Sequence, residues 1–508
     1  MSRQNPKVLL VYPPNQLMDI EVPRPDGSLG PLYLAGALRA ADIEVEILDA
    51  SVGGPRSDLR DTFHNRVQQP NGLTRIGMTV RHLTEYLTAG AYDIVGIHSN
   101  FTPQTRMAQE VARVVKTVNP ETFVIAGGVN ARAMAPRMLK NGDIDAISIT
   151  EGEKTVVKLV RAWQKESGLR SVAGIAYLEN QQMITNPVEI NTTASILDTL
   201  PLPAWDLLPF PKYDELDDSR GDAGPENKRR YAPMMTSRGC PFECLYCHIS
   251  EEKNAASTSG DIGSLRLKSV DRVMREVDIL RSLGVTHLYL EDDSLLAKKT
   301  RVTDVFKRMA GMGMKISGIN GVNLVHFGEP TANKKLKPDR KYLEIIVASG
   351  FDEITFPVES ASQRILDKYA TGKLNHQKLD VVELVCAAVS VGITCPINMM
   401  IGFPDETETE MLQSVELGKQ LIDAGAPYVT FFIPIPFPGS KLFGLAIKGG
   451  HLTPDFDTDV MNWKNPVMKK TEVPPERIAE LRDWAWDLVN TESYKKTRIK
   501  KEMRSRAV

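Results

Sequence analysis

Along the first 160 or so residues, short apolar runs alternate with amphipathic stretches. KVLLVYPP, EVEILDAS, YDIVGIHSN, TFVIAGG and DAISITEGE are rich in branched and aromatic residues and then turn polar, which predicts strands. PLYLAGALRAA, TPQTRMAQEVARVVKTV and KTVVKLVRAWQKE return their apolar residues at helical spacing, which predicts helices packed on a sheet. Strand alternating with helix implies a doubly wound, Rossmann-like α/β domain around a parallel sheet, and such sheets bind ligands beyond the carboxyl ends of their strands. Those ends read YPPNQ, HSNFTPQ, GGVNAR and TEGEK. They make Tyr12, Pro13, His98, Ser99, Asn100, Gln104, Gly127, Gly128, Val129, Glu151 and Gly152 candidate binding residues.

From Ser167 to Ile196 the pattern shortens to hairpin-like pieces such as GIAYLENQQMI, so the first domain is expected over 1–195. Residues 196–232 concentrate proline, glycine and charge and read as a linker. A second alternation runs through YAPMMTSRG, THLYLEDDS, KISGINGVN, DEITFPVES, TCPINMMIGFP and YVTFFIPIPFPGS. Six strand–helix units over 233–450 suggest a partial or complete (β/α) barrel, whose chemistry sits at the carboxyl ends of its strands. Residues 451–508 read as a helical appendage that ends in the basic YKKTRIKKEMRSRAV.

Charge narrows the partners. In 508 residues, 62 basic side chains nearly balance 64 acidic ones for a net charge of -2, so there is no broad footprint for nucleic acid and a small-molecule substrate fits better. No run of apolar residues is long enough to span a bilayer, and KVLLVYPP is too short and too soon broken by proline to be a signal segment, so a cytoplasmic protein is expected. Five cysteines are too sparse for a disulfide scaffold, and three of them, Cys240, Cys244 and Cys247, crowd into CPFECLYC just after the first barrel strand. Thiolates so placed suit an iron–sulfur cluster with one iron left unligated by protein. The other readings are zinc, with His248 or the distant Cys395 as fourth ligand, and three structural cysteines clustered by chance.

The C-x3-C-x2-C spacing, with Tyr246 before the third cysteine and TSRG before the first, resembles the signature of the radical S-adenosylmethionine (SAM) enzymes. The resemblance implies a 4Fe-4S cluster on the three cysteines, with the amino and carboxylate groups of SAM on the fourth iron. It carries further residues as cofactor contacts. LEDDS, with Asp292 and Asp293, stands where many relatives have Gly-Gly-Glu, a departure from the pattern. PVESASQRIL resembles a fourth-strand motif whose counterparts here are Glu359, Ser360 and Arg364, and MMIGFPDET a fifth-strand stretch that supports adenine and ribose. Glu359 also reads as a carboxylate satisfied by an ion pair at a barrel rim.

The first domain, placed ahead of such a barrel, resembles the cobalamin-binding domain of the cobalamin-dependent radical SAM enzymes. No Asp-x-His-x-x-Gly occurs, so cobalamin is expected without that axial histidine. His98 reads either as a cobalt ligand or as a hydrogen-bonded rim histidine, and Gly127 and Gly128 either as room for a corrin or as a tight turn. The resemblance implies a 5′-deoxyadenosyl radical acting with methylcobalamin to methylate an unactivated carbon of a small molecule, supplied with electrons by a flavodoxin- or ferredoxin-like donor. Cyclisation or rearrangement without methyl transfer is an alternative within the class, and a cobalamin or redox sensor an alternative outside it. Transfer-RNA methylthiolation fits less well, because the first domain lacks cysteine for a further cluster. The long segments HISEEKNAASTSGDIGSLR and LVHFGEPTANKKLKPDRK read as lids, the second with Lys334, Lys335 and Lys337 available to an anionic substrate.

Overall fold

The computed structural model describes residues 5–25, 27–189, 196–216, 230–254, 256–318, 320 and 322–506. Seven strands form the first sheet: Val8–Tyr12 (β1), Val45–Asp49 (β2), Ile94–His98 (β3), Phe123–Gly127 (β4), Ala146–Ser148 (β5), Ile175–Glu179 (β6) and Gln182–Thr185 (β7). Their order is β7-β6-β5-β4-β3-β1-β2. The β1 to β5 pairings are parallel, and the β6–β7 hairpin joins the β5 edge antiparallel. Branched side chains fill β1 because both of its faces are covered. Helices Leu29–Ala40 (α1) and Gly152–Gln164 (α3) cover one face, and Thr105–Val118 (α2) with the unpredicted helix Val80–Gly90 covers the other. The chain leaves β1 toward β2 on one side and returns to β3 on the other. That reversal opens a crevice between the carboxyl ends of β1 and β3.

All six predicted barrel strands are present. Tyr231–Met234 (β8), His287–Leu290 (β9), Lys315–Gly318 (β10) and Phe351–Ile354 (β11) form one parallel sheet, and Phe356–Glu359 (β12), Ile397–Met400 (β13) and Val429–Phe432 (β14) another. β11 and β12 are one bent strand. The N–H of Thr355 between them donates to Gly318 O at 3.1 Å, whereas that of Phe356 donates to Pro396 O at 2.8 Å, so pairing passes from the third strand to the fifth. β8 and β14 do not pair, and among the described residues the barrel is an open arc rather than a closed ring.

Both free edges are covered. Pro233 has no N–H to strand on the β8 edge, and its carbonyl accepts from Trp205 Nε1 at 2.9 Å. At the other edge the Asn490 side chain accepts from Val429 N at 2.8 Å and donates to Val429 O at 2.9 Å, while Arg482 Nε donates to Phe431 O at 3.2 Å. Both residues come from the predicted C-terminal helix, Pro475–Val489, and its cap. The appendage also grips the first domain. Asp459, 3 % exposed, accepts from Gln16 at 2.8 Å and Asn71 at 2.9 Å and pairs with Arg106 at 2.5 Å.

Residues 196–216, expected as linker, are folded: Trp205 is fully buried, and Lys212 Nζ donates to the carbonyls of Val52, Gly54 and Ser57 at 3.0, 2.7 and 2.8 Å. Residues 217–229 of that span lie outside the described residues. Among the described residues no helix is long and apolar enough to cross a membrane.

Candidate functional site

The cysteine loop hangs from a short antiparallel ladder, Ser237–Arg238 with Arg266–Leu267, at the carboxyl end of β8. Gly239 enters it at φ +77°, and a Cβ there would stand 2.3 Å from Ser264 O, so only glycine makes the turn. Backbone bonds then fix the loop: Cys240 N to Gly263 O at 3.1 Å, Cys247 N to Cys244 O at 3.1 Å, and Leu245 N to Tyr369 O at 2.8 Å. The three cysteines are free thiols, Cys244 buried and the others half-buried. Burial pushes all three thiols up, Cys247 to about 12.

Among the described residues no three His, Cys, Asp or Glu side chains converge on one metal position. Cys395 is fully buried just before β13, at the opposite end of the parallel strands, and His248 faces Glu252 at 3.8 Å, where burial pushes its imidazole down to about 4. A four-iron cluster spreads its ligands over separate irons and needs no such convergence.

Glu359 ends β12 with φ +68°, a conformation that costs energy for a residue with a Cβ and clusters at functional sites. Its Oε1 accepts from Tyr246 Oη at 2.9 Å and pairs with Lys373 Nζ, which places both partners beside Cys244. Burial alone would depress the Lys373 ammonium, but Glu359 outweighs it and holds the pKa above the usual lysine value. Asp293 Oδ2 accepts from Gly239 N at 2.9 Å, and burial raises its carboxyl to about 6.

Two of the expected cofactor contacts have other work. Asp292, 1 % exposed, accepts from Thr236 N at 2.9 Å, Thr236 Oγ1 at 2.7 Å and Ser237 Oγ at 2.5 Å, so it clamps the end of β9 to that of β8. Arg364 lies at the surface, bound to Asp405 at 2.8 Å and Glu410 at 2.6 Å. Ser360 is fully buried, and its Oγ accepts from Ser362 N at 3.1 Å within the turn after β12. Both expected lids are largely regular structure: one holds helix His248–Asn254 and strand Arg266–Leu267, the other the hairpin Gly328–Pro330 with Leu336–Pro338. Lys337 is paired with Glu329 at 3.0 Å, while Lys334 and Lys335 are exposed.

At the crevice of the first sheet, Tyr12 and Pro13 are buried, and Tyr12 packs edge-on against His98 at 5.5 Å. His98 Nε2 lies 2.9 Å from Ser28 Oγ at the start of α1, the arrangement of a hydrogen-bonded rim histidine. Ser99 and Asn100 bond inward: Ser99 Oγ accepts from Asn130 at 2.9 Å, and Asn100 Oδ1 from Val129 N at 3.3 Å. Gln104 exchanges bonds of 2.9 and 2.7 Å with the Gln16 backbone. At Gly128 a Cβ would lie 2.3 Å from Asn100 Oδ1, so this glycine serves the turn. At Gly127 a Cβ would make only an ordinary contact with Ser148 Cβ at 3.6 Å, so packing does not require glycine there. Gly152 lets α3 approach α1, where a Cβ would stand 2.7 Å from Leu34. Phe101, 63 % exposed, follows β3 at the same rim.

The strand ends of the two sheets meet. Glu151 receives Arg266 at 2.6 Å and Arg238 at 3.1 Å, and Glu153 receives Arg238 at 2.5 Å. Arg132, just after Gly128, pairs with Glu252 in the helix that follows Cys247. Burial opposes the charge on Glu151, but the two guanidiniums outweigh it and hold the carboxyl below its usual range.

Two family profiles match, the B12 binding domain over residues 27–160 and the radical SAM superfamily over 234–418. An uncharacterised methyltransferase of Pyrococcus horikoshii is 30 % identical over 488 residues, 94 % of this chain and 90 % of that one. The chain belongs to the cobalamin-dependent radical SAM enzymes. Their cofactors, a 4Fe-4S cluster, SAM and cobalamin, are its cofactors. The cytidylyl-2-hydroxyethylphosphonate methyltransferase of Streptomyces wedmorensis is 25 % identical over 94 % of this chain and 89 % of that one. The anaerobic magnesium-protoporphyrin IX monomethyl ester cyclase of Rubrivivax gelatinosus is 26 % identical over 76 % of this chain and 63 % of that one. The solved structure of the cobalamin-dependent SAM radical enzyme OxsB, with aqua-cobalamin and SAM bound, shares the fold at TM-score 0.69 and 18 % identity, covering 99 % of this chain and 71 % of that one.

The residues present fit these groups. The thiols suit the cluster, the Glu359–Lys373 pair offers one charge of each sign beside it, and Phe101 leaves apolar surface exposed at the crevice rim. Sequence reasoning missed Lys373, Arg238, Glu153, Arg266 and Arg132. Arg238 and Glu153 stand inside TSRGC and TEGEK, so their strand-end positions were a usable signal; nothing in the spacing tied Lys373 to Glu359.

Proposed function

We propose that the protein methylates an unactivated carbon of a small molecule. Two observations support this reading: the strand ends of the B12 binding domain lie directly against the cysteine loop through Arg238 and Arg266, and two relatives matched along nearly the whole of both chains carry methyltransferase names, while a cyclase is matched almost as widely at 21 % identity. The first is the one that carries it, since a methyl group held by one domain must reach a carbon activated in the other. Bound together, the cluster and one SAM would supply a 5′-deoxyadenosyl radical for hydrogen abstraction, and methylcobalamin, remethylated by a second SAM that leaves as S-adenosylhomocysteine, would supply the methyl group.

In this reading Cys240, Cys244 and Cys247 hold the cluster as thiolates. Lys373 and Glu359 offer a cation and an anion to the carboxylate and amine of SAM, Tyr246 orients Glu359 through its 2.9 Å bond, and Asp293 lends a second carboxyl beside Gly239. Phe101 would present apolar surface to the corrin at the crevice, whose wall is built on the buried Tyr12 and Pro13. His98, held by Ser28, would line the crevice as a rim histidine. A flavodoxin- or ferredoxin-like protein supplies two electrons per turnover.

Anaerobic turnover of candidate substrates with methyl-labelled SAM tests the proposal. One 5′-deoxyadenosine and one S-adenosylhomocysteine are expected for each labelled product. Deoxyadenosine released without matching homocysteine would replace methylation by cyclisation or rearrangement, and turnover of neither would leave a sensor.

A further inference from the structure

The cysteine loop is anchored to the first domain by a buried charge cluster that lies outside the groups assigned to the cofactors. Arg238, two residues before Cys240, is 12 % exposed at its side chain and meets Glu153, 7 % exposed, at 2.5 Å and Glu151 at 3.1 Å. Its guanidinium lies 4.4 Å above the Tyr33 ring on α1. The hydroxyl of the same tyrosine accepts from Lys268 Nζ at 2.8 Å, and Lys268 also donates to Met235 O at 2.6 Å and pairs with Glu276 at 2.5 Å. Arg266, the ladder partner of Arg238, holds Glu151 through two bonds of 2.6 and 2.8 Å. α1 begins beside Ser28, the residue bonded to His98 at the crevice. Arg238 therefore lies on a continuous line of contacts: crevice, α1, Tyr33, Arg238, cysteine loop.

A fork of two donors plus a planar face is what lysine lacks, since an ammonium cannot stack flat on a ring while reaching two carboxylates. Glu153, Glu151 and the Tyr33 ring hold the guanidinium from three directions, so its geometry is fixed. Loops that carry a site gain precision from neighbours that cannot swing.

We infer that Arg238 is a positioning residue that fixes the cysteine loop against the B12 binding domain and so sets the separation across which the methyl group travels. The inference rests on the proposed methylation. It separates Arg238 from the groups that hold SAM: loosening it leaves radical formation intact and degrades what must cross between domains.

The test uses the cofactor-loaded, full-length protein with Arg238→Lys, and Glu153→Gln as a milder variant should the first fold poorly. Iron content, cobalamin content and 5′-deoxyadenosine formation are expected to stay within about twofold of the parent, while methylated product per deoxyadenosine falls by about tenfold or more. Pulsed electron paramagnetic resonance between the reduced cluster and cob(II)alamin, which needs no turnover, should show a broader distance distribution in both variants. An unchanged product ratio with an unchanged distribution, or parallel loss of both products, overturns the role. If the parent itself makes no S-adenosylhomocysteine, the methylation reading has failed, and the width of the distance distribution alone then decides whether Arg238 positions the loop.

Discussion

The strand ends of the two sheets are both polar, yet they use polarity differently. In the barrel, Glu359, Tyr246, Lys373 and Asp293 lean toward the cysteine loop, with one residue at φ +68° and carboxyl and thiol groups desolvated. In the first domain, Ser99, Asn100 and Gln104 bond to their own neighbours, and Glu151 crosses to the other domain. Desolvated charges gathered beside a cofactor loop mark a place built for a charged ligand. Internally satisfied polar groups mark a scaffold, whose ligand meets shape and apolar surface instead. The barrel rim should thus respond to mutation by losing binding, the first domain's rim by losing stability.

The largest expected effect is at the cysteines. Replacing Cys240, Cys244 and Cys247 together by Ala should take anaerobically loaded protein from about four irons per chain to background and abolish SAM cleavage. A full cluster in that variant defeats the assignment. Next comes Lys373→Met, which removes the cation that faces Glu359. SAM affinity, read by equilibrium dialysis of cluster-loaded protein, should fall by about 10²-fold while the cluster signal persists. Unchanged affinity would return Glu359 and Lys373 to a structural ion pair and erase the contrast between the two rims.

Where the first domain is concerned, Asn130→Ala should cost about 1–3 kcal/mol of stability, because it leaves Ser99 Oγ and Thr105 Oγ1 without their donor at 2.9 Å. SAM cleavage by the surviving folded fraction should match the parent. Loss of cleavage at unchanged stability would show that this rim, too, serves the chemistry directly.

The same contrast explains which features are legible in the amino-acid sequence. Periodicity suffices for the strands because each is apolar until its carboxyl end, and the cysteine spacing suffices for the loop because its ligands are neighbours in sequence. Lys373 meets Glu359 only after helix Gln363–Tyr369 folds back, and Arg238 meets Glu153 across the domain boundary, so neither pairing leaves a local trace. Asp292 and Arg364 show the converse. Both match a motif by position, but a carboxylate with donors from two residues and a guanidinium between two surface carboxylates are already satisfied. Residue type at a strand end says that a polar group is needed; only packing says whether it faces inward, across or to a ligand.

The smallest effect should be at Arg364, and it sharpens the comparison because the residue belongs to the barrel but not to its rim. Its side chain is 49 % exposed, so pairing with Asp405 and Glu410 is screened by water, and Arg364→Ala should cost no more than about 1 kcal/mol. Burial would raise the Asp405 carboxyl from its ordinary 3.8, but Lys368, Tyr369 and Arg364 outweigh it and hold it at about 2. A folded-state pKa below the unfolded value means that this contribution is complete above about pH 4 and is lost as pH falls toward 2. Thermal unfolding of parent and variant should therefore differ slightly at pH 7 and less as pH falls toward 2, with SAM affinity equal throughout the range where the cluster survives. Glu410, which Arg364 holds lower still, retains the remainder of the difference. A large fall in SAM affinity in the variant would show that Arg364 leaves its carboxylates to reach the ligand, and would move it from the scaffold to the rim.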